Sequence, residues 1–284
     1  MKRNAIIIAA GTSSRFVPIS YEKPKGLVEV DGEVLIERQI RQLYEAGIED
    51  ITIVVGYMAE KFSYLSKMYR VNFVMNEDYS LYNNTSSMIR VIDKLDNTYI
   101  CCSDQFYRSN PFLRKLEKSA YAALYTDLPT NEYCLEMDDN DHILQVHIGG
   151  NHSWYMAGFA YFDAQFSQIF KQKLQEEYHN IETRQMYWED IYIRYINILP
   201  PMQAIKFYQK ELLEFDSLDE LRLYDQSYIH NTRSAIIREM CHTLHCEESD
   251  LSNFKKNPEL EGIAFTFNYN KTNYLYQNGE ITTC

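Results

Sequence analysis

The first hundred residues alternate between short apolar runs and longer stretches whose apolar positions recur every three or four residues. Ile6, Ile7, Ile8, Ala9 and Ala10 form one continuous run, and residues 51–55, 71–75 and 99–103 are mostly apolar over similar lengths. Runs of this kind fit strands covered on both faces. Between them Leu35, Ile36, Ile40 and Leu43 keep helical spacing up to Gly47, a plausible C-cap, while Met58, Phe62, Leu65 and Met68 mark a second helix and residues 86–95 a third. Residues 26–32 alternate in polarity and end in Asp31-Gly32, which predicts a short strand or hairpin arm. Strands joined by helices in this way imply an α/β fold, a Rossmann-like three-layer arrangement with a mixed, mainly parallel sheet.

The second half is less regular. Short strands are predicted at residues 121–125, 135–137, 143–147 and 155–162, as hairpins that extend the sheet and roof a pocket. Helices at 164–178 and 187–198, a strand at 204–208 and a core helix at 218–228 follow. Past residue 229 the pattern changes to a helix at 234–246 and a two-stranded hairpin made of 262–269 and 273–279. The expected division is therefore a catalytic domain of residues 1–229 and a small C-terminal appendage of residues 230–284. A lone hairpin is marginal and needs a partner surface, so covering the core and pairing two copies as a homodimer are both open for this tail.

Composition narrows the classes of function. A chain of 284 residues with 45% hydrophobic content can bury one sizeable core. Its net charge of -12 opposes general affinity for nucleic acid or an anionic membrane, so anionic ligands must be gripped by local cations and metal. The chain enters its first strand with no apolar targeting or membrane-spanning segment, which leads us to expect a cytoplasmic protein without membrane insertion. The six cysteines include Cys101-Cys102 inside an expected core strand, which suits reduced thiols.

The densest chemistry lies in residues 6–25. The apolar run delivers Gly11, a polar loop Thr12-Ser13-Ser14, and then Arg15, with Pro18, Pro24 and Lys25 beyond. A strand end in an α/β sheet opens on the ligand crevice, Gly11 permits close backbone approach to an anion, and the loop amides and hydroxyls can donate while Arg15 and Lys25 supply charge. A dinucleotide fingerprint is excluded by the missing glycines, and a P-loop by the missing Gly-Lys-Ser/Thr.

This pattern, Ala-Ala-Gly-x-x-Ser-Arg with a downstream Pro-Lys, resembles the opening motif of nucleotidyltransferases, and most closely the prokaryotic CTP:phosphocholine cytidylyltransferases, over roughly residues 2–228. The resemblance implies Mg2+-dependent transfer of CMP from CTP to phosphocholine. It assigns Ala9, Ala10, Gly11, Thr12, Ser13 and Ser14 to the nucleotide, Arg15 to the β- and γ-phosphates and Lys25 to the transferring phosphate. It makes Asp104 a Mg2+ ligand; the family often has a second aspartate two residues earlier, where this chain has Cys102. Asp216 is the second carboxylate, with a helix N-cap as its rival role. Gly56, Tyr57, Asn83, Asn84 and Ser87 fall where the family holds the nucleoside. Tyr133, Tyr187, Trp188, Glu189 and Trp154 fall where it presents rings and a carboxylate to the quaternary ammonium, with tyrosine at 133 in place of the tryptophan of close members.

Other readings stay open. The acceptor could instead be 2-aminoethylphosphonate, phosphoethanolamine or a sugar 1-phosphate, and a nucleotide-binding regulator or scaffold without turnover is the alternative of another class. The tail resembles, faintly, the opening hairpin of choline-kinase-like enzymes; no kinase catalytic residues follow it. Residues 241–246 look like zinc ligands, yet Ile237, Cys241 and Leu244 make one apolar helix face, and a structural helix is expected there.

Overall fold

The computed structural model describes every residue except Met1 and Gln209. It divides into two compact units that interleave along the chain: residues 1–11 with 35–214, and residues 12–34 with 215–284.

The larger unit is built on a nine-stranded mixed sheet. Asn4–Ala9 lies at its centre, parallel to Asp50–Val55 on one side and Thr98–Cys102 on the other, with Val71–Met75 parallel at the edge. Ser153–Phe162 joins antiparallel to Thr98–Cys102 and carries Ala120–Thr126 and Thr130–Met137. Ile143–Gly150 and Gln203–Phe207 complete the sheet. Alternate residues of a strand face opposite sides, and Ile6, Val54 and Ile100 turn to one face, where Met88, Phe166, Phe170, Leu174, Trp188, Ile191 and Tyr192 cover them. Burying this aromatic-rich face stabilises the fold by about 25 cal/mol per Å² of apolar surface.

The helix Leu35–Glu45 buries the expected Leu35, Ile36, Ile40 and Leu43, and also Gln39 and Gln42. Both amides have a task. Gln39 donates to the Cys102 carbonyl at 3.0 Å and Gln42 to the Tyr107 carbonyl at 3.1 Å, while Arg38 Nε donates to the same Tyr107 carbonyl at 2.9 Å. The helix thereby holds both ends of the turn that carries Asp104. Two short strands missed by the periodicity, Gln105–Tyr107 and Leu212–Glu214, pair antiparallel beside that turn.

The second helix predicted from Met58, Phe62, Leu65 and Met68 is split into a 3-10 turn, Ala59–Phe62, and a single α-turn, Leu65–Met68. Phe62 and Leu65 are buried, but Met68 is 60% exposed, so the apolar stripe is too short to hold a continuous helix. Likewise the 86–95 helix ends at Arg90 and continues only as a 3-10 turn.

In the smaller unit, Glu29–Val30 and Glu33–Val34 form the expected hairpin, with Asp31 and Gly32 both at positive φ (51° and 78°), the turn geometry that Asp-Gly favours. The tail forms a four-stranded antiparallel sheet, Ser252–Lys256, Ala264–Tyr269, Thr272–Gln277 and Glu280–Thr283, so the predicted two-stranded hairpin has a partner on each side. The helix Ala235–Leu244 precedes it, with Ile236, Ile237 and Met240 buried. What joins residues 12–34 to the tail is specific. Glu22 accepts from the Ala235 and Ile236 amides at 3.0 Å each, which satisfies the orphan donors of that helix start. Tyr21 donates to the Ala264 carbonyl at 2.9 Å, and Tyr228 to the Glu29 carbonyl at 2.8 Å.

Candidate active site

The residues predicted to act fall into both units. In the larger unit, Ala9 and Ala10 are buried at the end of the central strand, and the Ala10 carbonyl accepts from the Tyr57 amide at 3.1 Å. Gly56 must be glycine, because a Cβ there would lie 2.7 Å from Tyr79 Cβ and 3.0 Å from Ala10 Cβ. A Cβ on Gly11 would meet nothing within 4 Å, so the chain leaves open space where a ligand backbone contact was expected.

The asparagine-rich turn is a structural joint as well as a candidate base site. Asn76, 1% exposed, donates to Ser86 Oγ at 2.9 Å and Ser87 Oγ at 3.0 Å. Asn83 Oδ1 accepts from the Asn84 amide at 2.8 Å. Asn84 Oδ1 accepts from the Trp188 amide at 2.7 Å, which ties this turn to the start of the helix Trp188–Arg194. Asn76 is buried and central to this network.

Glu189 is a buried carboxylate with a strongly raised pKa. It is 7% exposed, and burial raises its pKa to about 7 against the opposing hydrogen bonds from Tyr121 and Asn84. Tyr121 Oη donates to Glu189 Oε1 at 2.9 Å, and Oε2 has no hydrogen-bond partner among the described residues. Its charge reaches Cys102, whose thiol is pushed well up by burial and then by Asp104, Glu189 and Glu214, so Glu189 lies near the strand end that precedes Asp104.

The predicted aromatic residues are not gathered alike. Trp188 is 1% exposed and enclosed by Tyr121, Phe162 and Phe170 at 5.6, 5.4 and 6.1 Å between ring centres. Trp154 packs on Tyr125 and already carries Lys206 Nζ 5.1 Å over its ring. Tyr133 and Tyr187 are drawn together by Asp190, which accepts from Tyr133 Oη at 2.7 Å and from the Tyr187 amide at 2.9 Å. Half-exposed Tyr187 and part-buried Tyr133 are the rings of the set with surface to offer.

In the smaller unit the loop expected to hold phosphate continues through Thr12, Ser13 and Ser14, with Ser13 at φ 51°. Asp216 bridges both cations of the motif: Arg15 Nη1 lies 2.6 Å from Oδ2, and buried Lys25 places Nζ 3.3 Å from Oδ1. The helix-cap rival for Asp216 falls away. Ser217 is the N-cap of Leu218–Tyr224, its side chain accepting from the Glu220 amide. Among the described residues no three His, Cys, Asp or Glu side chains cluster tightly enough to form a metal cage by themselves. Carboxylate donors nevertheless suit Mg2+, which keeps waters and takes substrate phosphate oxygens in place of a full protein cage.

Residues 5–130 match the MobA-like NTP transferase domain. The 2-aminoethylphosphonate cytidylyltransferase of Lancefieldella rimae is 32% identical over 82% of this chain and 96% of its own. The choline-phosphate cytidylyltransferase of Streptococcus pneumoniae is 31% identical over 78% of this chain and 96% of its own. The chain belongs to the cytidylyltransferase family of nucleotidyltransferases. The solved structure of the CTP:phosphocholine cytidylyltransferase from Streptococcus pneumoniae superposes with a TM-score of 0.77 at 31% identity, covering 80% of this chain and 99% of that one. The inositol-1-phosphate CTP transferase of T. maritima shares the fold, with a TM-score of 0.61 at 16% identity. The mixed α/β sheet with its small C-terminal sheet is thus a nucleotidyltransferase fold, and the protein is an enzyme of that class.

Proposed function

We propose that this cytidylyltransferase transfers CMP from CTP to phosphocholine, releasing pyrophosphate. In that reaction a phosphate oxygen of the acceptor bonds to the α-phosphorus, the bridge from the α-phosphorus to the β-phosphate oxygen breaks, and pyrophosphate leaves with the bonding electron pair. The acceptor oxygen is already ionised near neutral pH, so no general base is needed and positioning with charge neutralisation supplies the acceleration. Arg15 is assigned to the β- and γ-phosphates and Lys25 to the transferring phosphate. Mg2+ on the carboxylates read as its ligands, Asp104 and Asp216, would neutralise charge on the triphosphate oxygens.

The observation that carries the acceptor reading is Glu189. A carboxylate buried against Tyr121 is compensated by a cationic acceptor, whereas a sugar 1-phosphate offers it no counter-charge. The rings of Tyr133 and Tyr187 supply π faces, each worth about 0.5 to 2 kcal/mol to a cation depending on desolvation. A second reading, 2-aminoethylphosphonate, is favoured by the unpartnered Glu189 Oε2. A primary ammonium can donate to it and a quaternary one cannot. Pyrophosphate release measured with each of the four NTPs against phosphocholine, phosphoethanolamine, 2-aminoethylphosphonate and a sugar 1-phosphate separates these readings. CTP with phosphocholine should give the highest kcat/KM; a preference for the primary amines moves the assignment to the second reading, and no release with any CTP pair overturns both.

A further inference from the structure

The smaller unit contains a cleft of about 630 Å³ whose walls come from three distant parts of the sequence. Ser14 and Arg15 of the phosphate loop form one wall, Asp216 with Asp219 and Glu220 another, and Asn253, Lys255 and Lys256 of the tail sheet a third. The volume suits a small ligand. The chemistry is amphoteric, with three cations and three carboxylates on the lining. The carboxylates are engaged: Asp216 with Arg15 and Lys25, Asp219 with the Asn253 amide at 2.6 Å, and Glu220 with the Asp216 amide at 2.9 Å. Lys255 and Lys256 are exposed and pair with no carboxylate among the described residues.

Their placement is built. Arg222 donates to the Leu251 carbonyl at 2.6 Å and the Glu248 carbonyl at 2.7 Å, which fixes the approach to the strand. Asn253, at φ 54°, then interrupts the register with Ala264–Tyr269 between Ser252 and Lys255. Beyond the bulge the strand pairs regularly, Lys255 with Thr266 and Lys256 with Phe265, and both lysines line the cleft. Phe254, 6% exposed, anchors the strand against Phe265 and Phe267 at 6.0 and 6.2 Å.

We propose that Lys255 and Lys256 bind, together with Arg15, the polyphosphate end of the nucleotide and the pyrophosphate formed from it. This rests on the cytidylyltransferase reaction proposed above and gives the C-terminal sheet a direct part in it. Two ammonium groups beside Arg15 match an elongated polyanion, whereas they would repel the ammonium head group of the acceptor.

The test uses the full chain and inorganic pyrophosphate with Mg2+ as the probe. Calorimetric titration of K255A/K256A should show pyrophosphate affinity weakened on the order of tenfold or more, as expected for loss of charge-assisted contacts, with KM for CTP raised in step and KM for the acceptor unchanged. K255R/K256R should restore much of both, and K67A, which removes an exposed lysine of the larger unit, should change neither. Equal pyrophosphate affinity in wild type and K255A/K256A, with both folded by circular dichroism, overturns the proposal. The two failures are distinguishable: a wild type that transfers CMP with lysine-independent pyrophosphate binding refutes the tail's role, whereas lysine-dependent pyrophosphate binding without any CMP transfer refutes the reaction.

Discussion

Glu189→Gln should make the protein more stable at pH 8 and a poorer enzyme. The carboxyl sits at a pKa of about 7 in the folded chain against an ordinary value of 4.5, because burial disfavours its charged form more than Tyr121 and Asn84 favour it. A group whose folded-state pKa is raised holds its proton longer in the native than in the unfolded chain, so stability falls as pH rises from about 4.5 to about 7 and is lower by a constant amount above that window. At about 1.4 kcal/mol per pH unit, the difference amounts to about 3 kcal/mol at pH 8. Glutamine is close to an isostere of the neutral acid, and its carbonyl oxygen can still accept from Tyr121, so the variant should lack this pH-dependent loss. Urea unfolding of both proteins at pH 4.5, 6 and 8 measures it: the curves should lie close at pH 4.5 and separate progressively, with the variant ahead at pH 8. A constant offset at all three values would show that Glu189 is not the titrating group. At pH 8 the same variant should raise KM for the acceptor while leaving KM for CTP near its original value, since the role proposed for that charge is towards the acceptor's ammonium head group.

Asp104→Ala should abolish turnover across a Mg2+ titration and leave the thermal midpoint nearly unchanged, because the turn is held by Gln39, Gln42 and Arg38 through backbone carbonyls; near-normal activity in saturating Mg2+ would place the metal elsewhere. Lys25→Ala should depress kcat by about 10² or more, by analogy with deletion of single groups that act on charge developing in the transition state, and a rise confined to KM for CTP would reassign it to ground-state binding. Tyr133→Phe should test whether the ring or the hydroxyl matters. It keeps the π face but releases Asp190, and acceptor KM should rise less than in Tyr133→Ala; equal losses would assign the effect to the Tyr133–Asp190–Tyr187 tie.

The parallel half of the sheet was legible because its strands are buried on both faces and announce themselves as apolar runs. The short strands Gln105–Tyr107 and Leu212–Glu214 were not, since three residues are too few for any period and their pairing is non-local. The loop from Gly11 to Arg15 stood out through residue types that have few other uses together, and the structure sets Arg15 and Lys25 on one carboxylate, Asp216. The partition of the aromatic residues was not legible. Tyr133, Tyr187, Trp188 and Trp154 are alike in sequence, and only packing distinguishes Trp188, closed in by three rings, from Tyr187 at 49% exposure. Equally hidden was the use of Glu22, Tyr21 and Glu29: their polar atoms look like ordinary surface groups until the tail supplies the partners.

Those partners bear on how the phosphate loop is held. A loop of small polar residues with one residue at positive φ buries little apolar surface, and its two cations would repel each other if left alone. Asp216 removes that repulsion by accepting from both, and it does so from the segment that opens the tail's half of the smaller unit. On the proposed reaction the same carboxylate would be in competition: a polyphosphate on Arg15 and Lys25 would replace Asp216 as the counter-charge and release the aspartate for another partner. A carboxylate that first stood in for phosphate and afterwards became free would reconcile its ion pairs in this structure with the metal role proposed for it. The same pairing would let an enzyme of net charge -12 hold a cationic loop in place before the proposed anionic substrate arrives.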